Sequence, residues 1–210
     1  MKARFTLVFS LVLAADAAIL DRIAVSVGKQ VITERDVLRE VRVTAFLDHR
    51  ELVPGGEQKR AAAERLIDRL LILEEAALTR ITLSSDDEAR KMLDDVKAQY
   101  GADYPAALAR YGITEQDVTN QLIAGLRTMR FTDLRFRPEV QLSEDDLRDF
   151  YNTLVAESKQ SGKTDMPSFE SSRDQVEKLL TDQRTAQALD RWLGTRRTET
   201  QILYHEQVFR

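Results

Sequence analysis

The side chains that could carry acid–base or metal chemistry in this chain are two histidines and two groups of acids. His49 follows Asp48, and such a pair can act as a general base. His205 lies close to the last residue. The runs Asp86-Asp87-Glu88 and Asp94-Asp95 offer the oxygen ligands that Ca²⁺ and Mg²⁺ prefer. The 210 residues include no cysteine, which excludes thiolate nucleophiles, disulfides and cysteine-ligated metals.

None of these groups has the partners that its chemistry requires. His49 has no accompanying serine or cysteine nucleophile motif, and a cation at the end of a helix accounts for it. His205 lacks the further ligands of a metal site. The acids lack the alternating ligand loop with a central glycine, and acids are expected in a first helical turn. We expect no catalytic residue, no metal, no cofactor and no enzymatic activity.

A basic and aromatic segment is the other candidate site. Its arginines are Arg127, Arg130, Arg135 and Arg137, at the end of a predicted helix. Arginines there complement the helix dipole and solvate the surface. Alternatively they form a patch for acidic clients, carboxyl termini or anionic lipid headgroups, with neighbouring aromatic rings in an open groove for unfolded segments. Some of these rings must belong to the core. The candidate client-binding residues are Arg127, Arg130, Phe131, Phe136, Phe150 and Tyr151.

The first 17 residues have the order of a secretion signal. Lys2 and Arg4 precede an apolar run from Phe5 to Ala15, and Ala15-Asp16-Ala17 fits the small-x-small cleavage pattern. The apolar run is too short to span a membrane, and no later segment is long enough. We expect residues 1–17 to be a signal peptide and the mature protein to be periplasmic. The alternative is a buried amino-terminal strand or helix.

The composition is that of a soluble, helix-rich protein. Hydrophobic residues make up 43% and charged residues 31% of the chain. The net charge of −4 disfavours nucleic-acid binding, which needs a positive face. We therefore expect neither a nucleic-acid partner nor stable membrane insertion after the signal is removed.

Alternating apolar residues predict two strands at opposite ends of the chain. Residues 23–27 alternate, Gly28-Lys29-Gln30 forms a turn, and Val31-Ile32 returns. Residues 201–205 also resemble a strand but have no neighbour in sequence with which to pair. We predict that this strand pairs with residues 23–27, because a lone strand leaves its backbone groups unpaired.

Helices account for the rest of the chain. A serine or threonine followed three residues later by an acid predicts helix starts at Thr33, Ser85, Thr114 and Ser143. The helix at about 57–80 has the widest apolar arc, so we predict that it is the most buried one. A last helix is predicted over about 168–197, with Pro167 at its first position. In the long central helix the predicted stripe is Leu66, Leu70, Leu73 and Ala77, flanked by Ile67, Leu71 and Leu78.

Six segments together, in their order and spacing, resemble the SurA-type periplasmic chaperones. They are residues 23–33, 66–72, 84–88, 104–114, 137–147 and 169–193. The resemblance implies a mainly α fold, a SurA N-terminal-like helical chaperone core. Residues 18–142 would form the helical module, and residues 143–210 would complete the same domain with helices and a strand. The amino- and carboxyl-terminal strands would supply a small β pairing.

The family's parvulin-type prolyl isomerase domain has no counterpart here. Only residues 143–168 separate the helical module from the last helix, too few for such a domain. The resemblance therefore implies an ATP-independent chaperone that binds unfolded envelope and outer-membrane proteins, without isomerase activity. Both a monomer and a homodimer are compatible with it. The absence of a P-loop agrees with ATP independence. The alternative is a non-enzymatic helical adaptor or dimerisation protein of the cell envelope.

Overall fold

A three-stranded antiparallel sheet joins the two ends of the part of the chain that the computed structural model describes, residues 21–83, 86–162 and 167–210. Strands β1 (Ile23–Val27) and β2 (Gln30–Thr33) form a hairpin, in which Gly28 takes a φ of 55°. Strand β3 (Ile202–Tyr204) pairs with the other edge of β1, giving the order β2-β1-β3. The predicted pairing of the terminal strands is therefore confirmed.

The pairing between β1 and β3 continues beyond the three ladder positions. Val25 lies opposite Tyr204 and Val27 opposite Ile202. The His205 amide donates to the Ala24 carbonyl at 2.9 Å, and the Gly28 amide donates to the Gln201 carbonyl at 2.9 Å. These bonds satisfy backbone groups that an isolated terminal strand would leave open.

The remaining elements are helical, so the protein is mainly α. In chain order they are α1 (Glu34–Leu47), α2 (Gly56–Thr79), α3 (Asp86–Tyr100), α4 (Tyr104–Tyr111), α5 (Glu115–Arg135), α6 (Glu144–Gln160) and α7 (Phe169–Glu199). A 3₁₀ turn, Glu206–Phe209, follows β3. Within the described ranges, no helix combines the length and the apolar character needed to cross a membrane.

Local capping chemistry explains where three of the helices begin. In each, the capping hydroxyl accepts from the backbone N–H three residues on, and the acid there accepts from the cap's own N–H. The pairs are Thr33 with Asp36, Thr114 with Asp117, and Ser143 with Asp146. These three predicted starts are confirmed. The start predicted at Ser85 and the signal predicted for residues 1–17 lie outside the described residues.

Three apolar clusters hold the elements together. The first joins the inner face of the sheet to α2, the ends of α5 and α7, and the last 3₁₀ turn, around Val25, Ile67 and Phe131. The second gathers α1, α3, α4 and α5 around Phe46. The third lies between α6 and the first half of α7. Helix α7 thus contributes to both the first and the third cluster.

The buried face of α2 differs from the predicted one. Ile67 and Leu71 are fully buried, whereas Leu73 is 42% exposed and Leu78 is 70% exposed. Leu66 and Leu70 are only partly buried. The apolar arc is too wide for the neighbours of α2 to cover, so the Leu66–Leu70–Leu73 row is left at the edge of an opening.

The last long helix also begins differently from the prediction. Ser168 is its N-cap, and its side chain accepts from the Ser171 amide. Pro167 therefore precedes the cap and is not the first helical residue. Helix α6 extends to Gln160 and includes Phe150 and Tyr151. The tyrosine hydroxyl of Tyr151 donates to the Pro167 carbonyl at 2.7 Å, which fixes the entry into α7.

Candidate functional site

A groove runs between α2 and α5 and opens towards α1 and β2. It consists of two adjoining cavities of about 320 and 230 Å³, which share Arg69, Leu73, Asn120 and Ala124. We call it the α2–α5 groove. Besides the shared residues, its walls are formed by Val31, Ile32, Asp36, Arg39, Glu40, Val43, Leu66, Leu70, Ile72, Asp117, Gln121, Ile123, Arg127 and Thr128.

Helical spacing places the lining residues on facing surfaces. On α2, Leu66, Arg69, Leu70 and Leu73 recur at intervals of three and four residues, so they form one stripe. On α5 the stripe starts at Asp117 and ends at Arg127 and Thr128. Ala124 lies in the middle of that stripe, and its small side chain leaves the space between the helices open.

The α2 wall and the adjacent strand expose apolar side chains to solvent. Leu73 is 42% exposed and Val31 is 53% exposed, and Leu66 and Leu70 are half-buried below them. Burial of such groups by a partner removes apolar surface from water at about 25 cal/mol per Å². A row of partly exposed leucines beside a cavity is therefore suited to another apolar chain.

The floor of the groove is a buried carboxylate held by four side chains. Glu40, on α1, is 3% exposed. Its Oε2 lies 2.7 Å from Nη1 of Arg69, and its Oε1 lies 2.8 Å from Nε of Arg65. Nε2 of Gln121 donates to Oε1 at 3.2 Å, which connects α5 to the cluster. The Thr44 hydroxyl lies 3.4 Å from the same oxygen.

The two guanidinium groups keep Glu40 ionised. Burial by itself would raise the pKa of this carboxyl, but the charges and hydrogen bonds of Arg69 and Arg65 outweigh it and hold the pKa below its ordinary value. A carboxylate so fully paired neither takes up nor releases a proton near neutrality. The floor is therefore an ionised, fully paired support for three helices.

The two ends of the groove differ in charge. At one end Arg39 bridges two acids, with Nε 3.1 Å from Oδ1 of Asp117 and Nη1 3.4 Å from Oδ1 of Asp36. At the other end lies Arg127, beside Ile72 and Ile123. Considering only described residues, Arg127 makes neither a hydrogen bond nor an ion pair. One end thus carries an excess acid and the other an uncompensated guanidinium.

Of the six predicted client-binding residues, only Arg127 lines this groove. Arg130 is paired with Glu88, with Nη2 to Oε2 at 2.6 Å. Phe131 and Phe136 are 0% and 4% exposed, so the expectation that they contact a client is corrected: they are core residues. The two rings pack edge to face, with centroids 5.9 Å apart. They are buried because the sheet and α7 close over this end of α5.

The other predicted aromatic residues, Phe150 and Tyr151, lie in the third cluster, away from Arg127. The Tyr151 ring packs edge to face on Phe169, with centroids 5.4 Å apart. Tyr151 also lines an open cavity of about 500 Å³ between α6 and α7, together with Leu154 and Leu179. The six residues therefore do not form one patch, and the structure divides them among the groove, the core and the α6–α7 surface.

The histidines and acids lie in separate places. His49 stacks on Tyr100 at 4.7 Å, and Nε2 of His205 lies 3.5 Å from the Ser26 hydroxyl. Over residues 21–83, 86–162 and 167–210, no three His, Asp or Glu side chains are close enough to hold a metal ion.

Sequence reasoning missed the polar floor, although one signal was available. Glu40 lies between Val37 and Val41 on the apolar stripe of α1, which faces the core, and an unpaired acid is not expected there. Arg65 and Arg69 are four residues apart on α2 and so share a face. An acid within an apolar stripe together with two arginines on one face indicates a buried ion cluster.

Comparisons with known proteins do not assign the chain to a family. No protein family's profile matches it, and no curated protein matches it in sequence. The groove itself is therefore the basis for a functional proposal.

Proposed function

We propose that this protein is an ATP-independent chaperone that binds apolar segments of unfolded polypeptides in the α2–α5 groove. The observation that carries the proposal is the Leu66–Leu70–Leu73 row, which belongs to the wide apolar arc of α2 yet faces an opening. An apolar row kept accessible in a folded protein favours a partner surface. Its clients would be unfolded envelope and outer-membrane proteins.

The groove suits clients of varied sequence. Its apolar wall offers contact without directional demands, because burial of apolar surface is non-directional. The polar groups of its floor are already satisfied: Glu40, Arg69 and Gln121 bind one another, so an apolar client leaves none of these three newly unpaired. Release requires no chemical step, since client and groove are joined only by non-covalent contacts.

The resemblance to SurA-type chaperones adds the cellular setting to this proposal. A SurA-type core without an isomerase domain would bind clients in the periplasm and would not accelerate prolyl isomerisation. Sequencing the amino terminus of the exported protein tests the location, with Ala18 expected as the first residue. An intact Met1 on protein recovered from the cytoplasm would contradict export.

An aggregation assay with two matched variants tests the groove. Leu73→Glu places a charge in the groove wall, and Leu78→Glu places the same charge on the same helix at a residue that does not line the groove. Both sites are exposed, so both variants are expected to fold. Leu73→Glu should lose suppression of aggregation of a diluted, unfolded outer-membrane barrel, and Leu78→Glu should retain it. Equal suppression by both variants would exclude the groove.

A helical adaptor or dimerisation protein is the second candidate. Val31 and Leu203 flank Ser26 on the outer face of the sheet and are 53% and 55% exposed. An apolar pair on a sheet face favours a folded partner or a second copy. Binding of one partner at fixed stoichiometry, with no suppression of aggregation, would favour this candidate over the chaperone.

A further inference from the structure

The charge of the α2–α5 groove changes sign along its length. At one end, Asp36 and Asp117 both pair with Arg39, the one described cation among the lining residues there. In the middle, the charge of Glu40 is balanced by Arg69, which also lines the groove, and by Arg65 from outside it. Arg127, at the far end, is matched by no described carboxylate. The groove therefore becomes more positive from Asp117 to Arg127.

The positive end lies beside a small apolar cavity. This cavity has a volume of about 230 Å³, and Ile72, Leu73, Ile123 and Ala124 supply its apolar lining. Arg127 borders the same cavity. A guanidinium offers a fork of N–H donors that matches a carboxylate in geometry and charge. An apolar cavity beside such a donor fits the last residue of a polypeptide, if that residue has an apolar side chain next to its terminal carboxylate.

We propose that the Arg127 end of the groove binds the carboxyl terminus of the client, with the client's last side chain in the cavity. The inference rests on the proposed function and specifies which part of an unfolded chain the groove selects. Arg127 would bind the terminal carboxylate, while Leu73 and Ile123 would contact the terminal side chain. The preceding residues would extend along the Leu66–Leu70–Leu73 row.

The length of the groove sets the length of the segment. Asp117 and Arg127 are ten residues apart on α5. At about 1.5 Å per helical residue the groove spans about 15 Å. An extended chain rises about 3.3 Å per residue, so about four or five client residues fit between the two ends. A client bound in this direction has its negatively charged carboxyl terminus at the Arg127 end of the groove, far from the acids Asp36 and Asp117.

Two peptides that differ only at the carboxyl terminus test the inference. The probe is a pentapeptide, Ser-Ala-Val-Ala-Leu, labelled with a fluorophore at its amino end and ending in either a free carboxylate or an amide. Fluorescence anisotropy measures binding of each to the folded protein. The carboxylate form should bind about tenfold more tightly, as a charge-assisted hydrogen bond at a partly exposed site would give.

Two arginine variants determine the source of that difference. Arg127→Gln should bind the carboxylate peptide as weakly as the amide peptide, with the amide affinity unchanged. Arg130→Gln is the matched control, because Arg130 is on the same helix but is paired with Glu88 and does not line the groove. It should keep the tenfold preference. Equal binding of both peptides by the unchanged protein would overturn the inference, as would a preference that survives Arg127→Gln.

The result is separable from that of the chaperone proposal. Suppression of barrel aggregation that depends on Leu73, with equal binding of the two peptides, would overturn carboxylate selection and leave the chaperone function standing. A carboxylate preference that depends on Arg127, without any suppression of aggregation, would support the end-binding site and contradict the chaperone function.

Discussion

Oε2 of Glu40, on α1, lies 2.7 Å from Nη1 of Arg69, on α2, directly beneath the exposed leucines of the groove. Arg69 has two functions at this position. Its guanidinium compensates the buried carboxylate, and the residue also forms part of the wall of both cavities. The shape of the groove therefore depends on the same contact that joins α1 to α2.

Replacing the buried carboxylate should destabilise the fold. Glu40→Gln leaves Arg65 and Arg69 without their anion, and breaking such a partly buried cluster costs about 2–3 kcal/mol of unfolding free energy. Urea denaturation measures the loss. Glu74→Gln, at an exposed position of α2, is the control and should change stability by less than about 0.5 kcal/mol. Similar losses in the two variants would contradict a structural role for the cluster.

The contribution of Glu40 should disappear in acid. Its pKa in the folded protein is below the ordinary carboxyl value of 4.5, because Arg69 and Arg65 outweigh burial. The stabilisation is therefore complete above the ordinary value and is lost as the pH falls through the lower, folded-state pKa. The stability gap between the unchanged protein and Glu40→Gln should narrow as the pH is lowered from neutrality to below 4.5. A gap independent of pH would contradict this assignment.

Two glycine-to-alanine changes should have opposite signs. A Cβ at Gly56, the first residue of α2, would collide with the backbone carbonyl oxygen of Phe209. Gly56→Ala should therefore cost about 1–3 kcal/mol despite the better helix propensity of alanine. A Cβ at Gly125, within α5, meets no atom within 4 Å. Gly125→Ala should stabilise by about 0.5–1 kcal/mol.

Thermal unfolding of the two glycine variants checks this prediction. A Gly56→Ala protein as stable as the original would show that the carboxyl-terminal turn does not pack tightly on α2. Gly125→Ala controls for the general benefit of replacing a helical glycine.

Ionisation of Tyr204, on the terminal strand β3, should lower the stability of the protein at alkaline pH. The Tyr204 hydroxyl donates to Oε1 of Glu64 at 2.6 Å, and burial together with this carboxylate raises the pKa of Tyr204 to about 12. Because the folded-state pKa exceeds the ordinary value of 10.0, the stabilisation is complete below pH 10.0 and is lost as the pH rises towards about 12.

Tyr204→Phe isolates that effect. The variant cannot ionise at this position, so its stability should fall less than that of the unchanged protein between pH 10 and about 12. Chemical denaturation at several alkaline pH values measures the difference. Parallel declines would show that other groups, such as Tyr100 and Tyr104, whose pKa values are also raised, dominate the alkaline transition.

Local signals in the sequence were sufficient for the helix starts and the terminal strand. The pairs Thr33–Asp36, Thr114–Asp117 and Ser143–Asp146 act over three residues, so the chain itself specifies them. The pairing of β3 with β1 also followed, because only one other segment had a clear strand pattern to offer it a partner. These features depend little on contacts between residues that are distant in sequence and have several possible partners.

Tertiary coverage of side chains could not be predicted in the same way. Periodicity gave the apolar arc of α2 but not which half its neighbours cover, so Leu73 was placed in the core although it is 42% exposed. Phe131 and Phe136 show the opposite difference: they are predicted to contact a client but are buried, because α7 and the sheet close over them. Local patterns single out Glu40 and the pair Arg65 and Arg69, but their contact depends on the mutual register of α1 and α2, which no local pattern encodes.

Site-specific photo-cross-linking tests client binding in the α2–α5 groove most directly. A benzophenone side chain would replace Leu73 in one variant and Leu78 in another, and each would be irradiated with an unfolded outer-membrane barrel protein. Both positions lie on α2 and are exposed, but only Leu73 lines the groove. We predict a covalent client adduct from position 73 and little or none from position 78. Equal adducts from both positions, or an adduct from position 78 alone, would contradict binding in the groove.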